Sequence, residues 1–381
     1  MVATRRVSSP YTIRQRSDGR YEVRLYTGTD SNGKKTYKSI YGRTSKELKE
    51  KLKEIATEQK KNRTPAANIN FRDYALHWMR LYKYPVLKPV SYDRLEQTYN
   101  KVCEYLGWIQ MGNISTDDIQ EMINDLARTK AYSTVKKHHE FVKNVFNPCE
   151  AVALPIERNM TVKTKPAEIL LEEETEAMYA FNEKIKKSRN QFFKQMPALL
   201  LMLNTGWRVG ELLALEWTDI DFKKRTARIN KTLAKAKTRN DAGESISRHK
   251  TTFPEPTKTK AGERLTPLND MAVSLLKQIK EYNQRMGIQS NYVVCTKDGG
   301  YVSERNLLRT FKSVMGIIGA EKDYTIHSLR HTYASRLLKR GVDVSVVSKL
   351  LGHSDINTTY GKYIHVLHTQ LMQSAQSVER I

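Results

Sequence analysis

The stretch YTIHSLRHTYASRLLKRGVDVSVVSKLLGHSDINTTYGKYIH, Tyr324 to His365, decides how the rest of the chain is read. Leu329, Tyr333 and Leu337 recur at helical spacing, which predicts an amphipathic helix over His327–Lys339, ended by Gly341. Residues three and four apart share one side of a helix, so His327, Arg330 and His331 face one way. A second helix, Val344–Leu351, stops at Gly352, and His353 stands at the turn. Tyr363 follows, with Tyr360 as a rival just before it. An imidazole-rich surface bearing a guanidinium thus precedes a tyrosine with a hydroxyl to spare.

Three chemistries use such parts. A His-x-x-x-His pair on a helix binds zinc, but zinc hydrolases of that type carry a Glu after the first His. Here that residue is Ser328, and no nearby cysteine or carboxylate is an obvious third ligand. The plain alternative is a helix whose histidines are solvated or satisfied in the core. The third is a phosphate clamp with a tyrosine nucleophile. Arginine grips phosphate oxygens in pairs, histidine moves protons near neutral pH, and a tyrosine hydroxyl forms covalent intermediates.

The order of the short motifs favours the third. His327-x-x-Arg330-His331, Leu351-Gly352-His353 and Tyr363-x-His365 together resemble the C-terminal signature of tyrosine recombinases. Thr205-Gly206-Trp207-Arg208-Val209-Gly210-Glu211-Leu212-Leu213-Ala214-Leu215 matches that family's upstream arginine box. Tyr363 sits one residue later after His353 than in the commonest members. That spacing, with the Tyr-x-His pair, resembles integrases of temperate phages and conjugative transposons. The resemblance implies an α+β multidomain fold. A small N-terminal three-stranded β-sheet plus helix would bind arm sites, a helical bundle would bind the core site, and a mostly helical domain with a small β-sheet would be catalytic. The implied activity is site-specific DNA recombination for a mobile element, by way of a 3′-phosphotyrosine and a Holliday junction.

The resemblance also distributes roles. Arg208 and Arg330 would stabilise the charge of a pentacoordinate phosphorane, preorganised as an oxyanion hole is. Arg208 opens the helix Val209–Leu215, where free backbone N–H groups would add to phosphate binding. Glu211, one turn on, would orient Arg208. Lys258, with Lys260 as the alternative, stands where the family has a hairpin lysine that protonates the leaving 5′-oxygen. Two arginines beside it would lower its pKa. His327 would assist proton transfer at Tyr363, and His353 would hydrogen-bond the scissile phosphate. His331 is expected to pack or to make a structural hydrogen bond. Two arginines and a lysine do a metal's work, so no metal, cofactor or ATP is expected. A type IB topoisomerase or a non-catalytic DNA-binding regulator would share the motifs. The N-terminal module and the tail favour recombination over the first, and the full set of reactive residues speaks against the second.

The totals agree with a nucleic-acid partner. The chain has 381 residues, enough for two or three domains, and a net charge of +24 from 65 Lys+Arg against 41 Asp+Glu. Such an excess predicts a polyanion. No apolar run reaches membrane-spanning length and no apolar signal segment follows Met1, so no membrane partner is expected. Cys103, Cys149 and Cys295 are isolated and odd in number, which predicts reduced thiols in a cytosol. The family resemblance implies that this is a bacterial cytoplasm and that the protein associates with the nucleoid.

Along the chain, residues 1–63 read as the arm-binding unit. Tyr21–Tyr26 alternates as a strand does, Asp18-Gly19 and Asn32-Gly33 are hairpin signals, Lys35–Tyr41 is a further strand, and Thr44 with Glu47 makes a capping box before a helix burying Leu48, Leu52 and Ile55. Its basic residues Arg14, Arg16, Arg20, Arg24, Lys35 and Lys38, interleaved with tyrosines, suit a β-ribbon in a DNA groove. Residues 70–156 read as a four-helix bundle, a pattern any helical module could have, whose position the resemblance implies is that of the core-binding domain. Lys136, Lys137, His138 and His139 form a face suited either to phosphates or simply to solvent. A linker, Glu157–Glu168, leads to a catalytic domain over 168–363. It opens with helices Glu172–Lys187 and Gln191–Asn204, and carries strands in Trp217–Leu233 and Arg264–Pro267 around a polar excursion, Ala234–Pro256. In the tail, 364–381, Ile364, Leu367, Leu371, Ala375 and Val378 share a helical face suited to a groove on its own domain or on a neighbour. The expected partners are double-stranded DNA at core and arm sites, further copies of the chain as a tetramer, and an excisionase or DNA-bending accessory protein.

Overall fold

A computed structural model describes residues 13–16, 19–29, 35–53, 68–145, 152–156, 168–186, 193–257 and 260–363. Lys258, the tail 364–381, most of the 157–168 linker and the side chains of Arg24, Lys35, Lys38 and Lys260 lie outside the described residues. The chain divides into two compact units. The first takes the chain up to Leu81 together with Thr98–Met160, and the second takes Tyr82–Gln97 together with the rest.

In the first unit three antiparallel strands, β1 (Arg14–Gln15), β2 (Tyr21–Thr29) and β3 (Lys35–Gly42), lie in the order β1-β2-β3. Alternation puts Val23 and Ile40, directly paired in the ladder, on one face, where Leu48 of helix α1 (45–53) covers them. Half of the expected box at α1 forms as the residues predict, and the return bond goes one residue earlier. Thr44 Oγ1 accepts from the Glu47 N–H, while the Glu47 carboxylate takes the N–H of Arg43 at 2.8 Å.

The helical part of the same unit holds α2 (Phe71–Trp78), the latter half of α3 (Pro89–Leu106), α4 (Thr116–Thr129) and α5 (Tyr132–Val145). Ser115 and Asp118 form the anticipated reciprocal cap of α4, and its stripe Ile119, Met122, Ile123 and Leu126 is buried. Phe141 of α5 meets the edges of Trp78 and Tyr99 at ring separations of 6.0 and 6.5 Å. The anticipated surface on α5 divides: Lys136 and Lys137 are exposed, but His138 and His139 point inward and are buried. A 3.6-residue period cannot keep four consecutive residues on one side. His138 Nδ1 instead pairs with the Thr134 carbonyl at 2.7 Å.

The second unit is organised on α7 (Met196–Thr205), a helix apolar on all sides and therefore central. Around it lie α6 (Glu172–Lys186), α8 (Val209–Leu213), α9 (Asp270–Arg285), α10 (Glu304–Ile317), α11 (His327–Lys339) and α12 (Val344–Leu351). α7 starts later than the sequence pattern suggests, because Pro197 occupies its first turn. A small antiparallel sheet, β4-β5-β8 (Ile220–Asp221, Thr226–Ile229, Arg264–Pro267), flanks this core.

The polar excursion Ala234–Pro256 is not irregular. It belongs to a long hairpin, β6 (Lys231–Arg239) with β7 (Ser245–Pro256). Its sequence hides the ladder because both strands are polar; part of their charge faces solvent and part is met by ion pairs within the unit. Asp93 contacts Arg239 at 2.6 Å and Lys250 at 2.9 Å, Glu96 takes Lys237 at 2.8 Å, and Tyr84 donates to the Asn240 carbonyl at the turn.

Candidate active site

α11 and α12 build most of the site, and α8 brings the upstream box to it. α11 is less amphipathic than its sequence suggests. Ser328, Leu329, Arg330, Thr332, Ala334, Ser335 and Leu338 are all buried, so it runs through the core. Among its buried hydroxyls, Thr332 Oγ1 donates to the Ser328 carbonyl at 2.7 Å and accepts the Leu170 N–H at 2.9 Å, whereas Ser335 Oγ meets no protein partner among the described residues.

Arg330 is fixed from three sides. It donates to the carbonyls of Gly206 and Leu351, both at 2.7 Å, and lies 3.0 Å from His353 Nε2. Gly206 and Gly352 end α7 and α12 in the left-handed conformation, at φ 65° and 66°. Neither position admits a larger residue. A Cβ on Gly206 would stand 2.4 Å from the Tyr333 ring, and one on Gly352 would stand 2.7 Å from Arg264. Close backbone approach at these two turns is what puts carbonyls within reach of the guanidiniums.

Arg208 stands directly before α8. Its Nη1 donates to Glu211 at 2.7 Å, its Nη2 to the Gly352 carbonyl at 3.2 Å, and its own N–H also goes to Glu211. That backbone donor is therefore not open to a phosphate, and α8 is a single short turn instead of the anticipated helix to Leu215. Glu211 is held from a second direction by Arg264, whose Nη1 and Nη2 reach its carboxylate at 3.2 and 2.8 Å. Burial pushes the Glu211 carboxyl up, but Arg264 and Arg208 outweigh it and hold the group below the usual carboxylate range.

Tyr363 lies in a helical segment described over 357–363 and is 1% exposed, packed among Ala334, Leu338, Val344, Val347 and Leu351. Its hydroxyl is not spare: it lies 2.8 Å from His331 Nδ1. The imidazole at the tyrosine is therefore His331, where the sequence reading expected His327. Burial raises the phenol to about 12, against which the charge of Arg330 acts. Tyr360, by contrast, is 45% exposed.

Positive charge dominates this cluster. Burial, then Arg330, Arg208 and Lys362, lowers His353 to about 3. Burial, then Lys362, His327 and Arg330, lowers His331 to about 4. His327 is open to solvent, yet the surrounding protein and the cations Arg330, Lys362 and Arg208 also disfavour its charged form. Desolvation and the two arginines lower Lys362. Together these shifts mark a single electropositive cluster, of the sign that attracts an anion.

The neutral histidines couple the fold to pH. Both His331 and His353 have folded values below the unfolded value of about 6.5. Their contribution to stability is complete above that value and is lost as pH falls toward the folded values, because the unfolded chain takes up protons first. The melting temperature should therefore fall as pH is lowered from 7 to 5, above the carboxylate range, and a flat or rising profile would refute this.

The structure thus brings Arg208, Glu211, His327, Arg330, His331, His353 and Tyr363 to one place. Three further residues share it. Arg264 appears in the sequence only as a strand marker, Thr359 hydrogen-bonds His353 Nδ1 at 2.8 Å, and Lys362 has no spacing rule that would single it out. On the surface of the first unit, Arg14, Arg16 and Arg20 are exposed. Arg16 and Arg20 stand over the Tyr41 ring at 5.6 and 5.8 Å, and Arg16 also pairs with Glu22. Among the described residues no cluster of three His, Cys, Asp or Glu side chains has the geometry of a metal site, and no helix is long and apolar enough to cross a membrane.

This geometry coincides with a sequence match. The profile of the Phage integrase family matches residues 168–370, more than half of the chain, and that of the phage integrase N-terminal SAM-like domain matches residues 70–127. The chain belongs to the phage integrase family. It is an enzyme of the tyrosine recombinase type.

A family relative, the "Tyrosine recombinase XerC-like" protein of Caldanaerobacter subterraneus subsp. tengcongensis, is 29% identical, covering 94% of this chain and 95% of its own length. The integrase of Staphylococcus phage L54a is 25% identical over 88% of this chain and 99% of its own. Among solved structures, the Tn1549 transposon integrase in complex with transposon right end DNA superposes with a TM-score of 0.63 at 17% identity, over 81% of this chain and 100% of that one. A lambda integrase dimer bound to a COC′ core site gives 0.54 at 16% identity, over 94% and 96%. The mostly helical architecture with small sheets is the integrase fold.

Proposed function

We propose that this phage integrase family member is the site-specific recombinase of a mobile element, cutting and rejoining DNA strands through Tyr363 and a Holliday junction. The observation that carries the reading is the convergence of Arg208, Arg330 and His353 beside Tyr363, with one carboxylate, Glu211, shared by Arg208 and Arg264. An excess of fixed cations around a nucleophile is what a phosphodiester and its more highly charged transition state require. Arg208 and Arg330 neutralise the non-bridging oxygens, His353 accepts from Arg330 at rest and donates to one of those oxygens once the phosphate brings a proton to its Nε2, and Lys258 protonates the leaving 5′-oxygen.

Attack by the Tyr363 oxygen forms a P–O bond to the strand's 3′ side and releases a 5′-hydroxyl. The ester retains the bond energy, so rejoining consumes no ATP. Arg14, Arg16, Arg20, Lys136 and Lys137 contact the DNA backbone from the first unit. The domains act as arm-binding (1–63), core-binding (70–156) and catalytic (168–363) parts, and the apolar stripe of the tail 364–381 suits a groove on its own domain or on a neighbouring subunit. Four copies work together on a junction, the state in which lambda integrase has been seen as a tetramer. An excisionase or DNA-bending protein sets direction, and the reaction takes place on DNA of the bacterial cytoplasm.

The test is to trap a covalent adduct on nicked suicide duplexes carrying candidate element ends, in EDTA and without nucleotide. Adduct should form on those ends in chelator. Activity lost in EDTA and restored by a divalent metal would reject the mechanism, and supercoil relaxation without choice of site would indicate a topoisomerase instead.

A further inference from the structure

The Tyr363 hydroxyl lies in the interior with an acceptor already beside it. His331 Nδ1 is 2.8 Å away, and the two rings stand 5.8 Å apart at 57°. The hydroxyl keeps its proton at neutral pH, so it donates and the imidazole accepts, which places the imidazole proton on Nε2. We propose that His331 is the base that takes the Tyr363 proton when a strand is cut, and the acid that returns it when the strand is rejoined. This rests on Tyr363 being the nucleophile.

His331 is suited to that part in two ways. Its backbone belongs to α11, which is held through the core, so the ring is positioned by the same helix that positions Arg330. The charged and titratable groups acting on it are Lys362 and Tyr363 from the 357–363 turn, and His327 and Arg330 from α11 itself. No carboxylate is among them, so the resting imidazole is neutral and turns its unprotonated Nδ1 to the hydroxyl. A DNA phosphate would place negative charge against the same cations and raise the basicity of the ring toward the useful range. His327, the other imidazole of the motif, is open to solvent and makes no comparable contact with the hydroxyl.

The step balances. The proton moves from Tyr363 Oη to His331 Nδ1, and the oxygen lone pair forms the new P–O bond. The P–O5′ bond breaks, and the 5′-oxygen leaves with a proton from the general acid. On rejoining, the 5′-hydroxyl returns its proton to the now deprotonated general acid as it attacks, the P–Oη bond breaks, and the imidazolium protonates the departing phenolate. Lys362 and Arg330 disfavour that imidazolium, which keeps it a willing donor.

Single-turnover cleavage of a suicide duplex, measured from pH 6 to 9, tests this. The wild-type rate should vary little over that range. His331→Ala should be slower at pH 7 by about a hundredfold or more, with a rate that rises roughly tenfold per pH unit as hydroxide replaces the base. Added imidazole should restore it. His331→Asn, which can hold the hydroxyl but takes no proton, should be as slow, and this variant answers the question if the alanine variant fails to fold. An asparagine variant at full rate would overturn the proposal, as would a pH slope that appears in His327→Ala and not in the His331 variants. Absence of any wild-type adduct would instead strike at the recombinase reading itself.

Discussion

Tyr363→Phe should form no covalent adduct with a suicide duplex, a loss of at least about a thousandfold, while still binding the same DNA. The reasoning separates chemistry from folding. Phenylalanine fills the same apolar space among Ala334, Leu338, Val344, Val347 and Leu351, so the packing of the turn over 357–363 is retained. The change removes one oxygen and leaves His331 Nδ1 without its partner, a cost of about 1–3 kcal/mol for a buried polar atom. That is within the margin of an ordinary domain. The chemistry has no such margin, because the atom removed is the one that would attack the phosphorus. Tyr360→Phe is the companion variant, and it should cut normally, since its side chain is 45% exposed. Adduct in Tyr363→Phe together with its loss in Tyr360→Phe would move the nucleophile to Tyr360.

Glu211→Ala should destabilise the catalytic unit by about 3–5 kcal/mol and abolish cleavage. Glu211 is 3% exposed and receives four donors from two arginines. Removing it leaves Arg264, itself 8% exposed, with no counter-charge, beside Arg208 and near Arg330. Like charges in a poorly solvated place then repel, and Arg208 loses both its lateral clamp and the bond to its backbone. Glu211→Gln keeps one acceptor but no charge and should fall between the two. Equilibrium unfolding measures the first effect and adduct formation the second. A stability change under about 1 kcal/mol would show that water already compensates these cations, and the account of Glu211 would fail.

How much of this could be read from the chain depends on the distance over which each signal acts. Capping at Ser115, the end of α12 at Gly352 and the helical spacing of His327, Arg330 and His331 depend on neighbours within a turn or two, and the structure has them where the residues say. The β6-β7 hairpin was not legible, because its ladder is polar on its own and is satisfied by Asp93 and Glu96, which lie far away along the chain. Arg264 and Lys362 were missed for a related reason. Each is an ordinary surface cation by sequence, and only proximity to Glu211 or to the arginines gives it a part in the site.

The residue types and their order, by themselves, fixed the chemical inventory: two guanidiniums, imidazoles and a tyrosine, in a basic chain patterned for helices. That follows because charge and side-chain chemistry are local properties. The tertiary structure alone decided which imidazole meets the tyrosine. His327 and His331 are one helical turn apart and equivalent in composition, and the packing of the 357–363 turn against α11 brings the hydroxyl to His331. It also decided that Arg208 is steered by a carboxylate shared with Arg264, a contact between residues 53 apart in the chain that no spacing rule encodes.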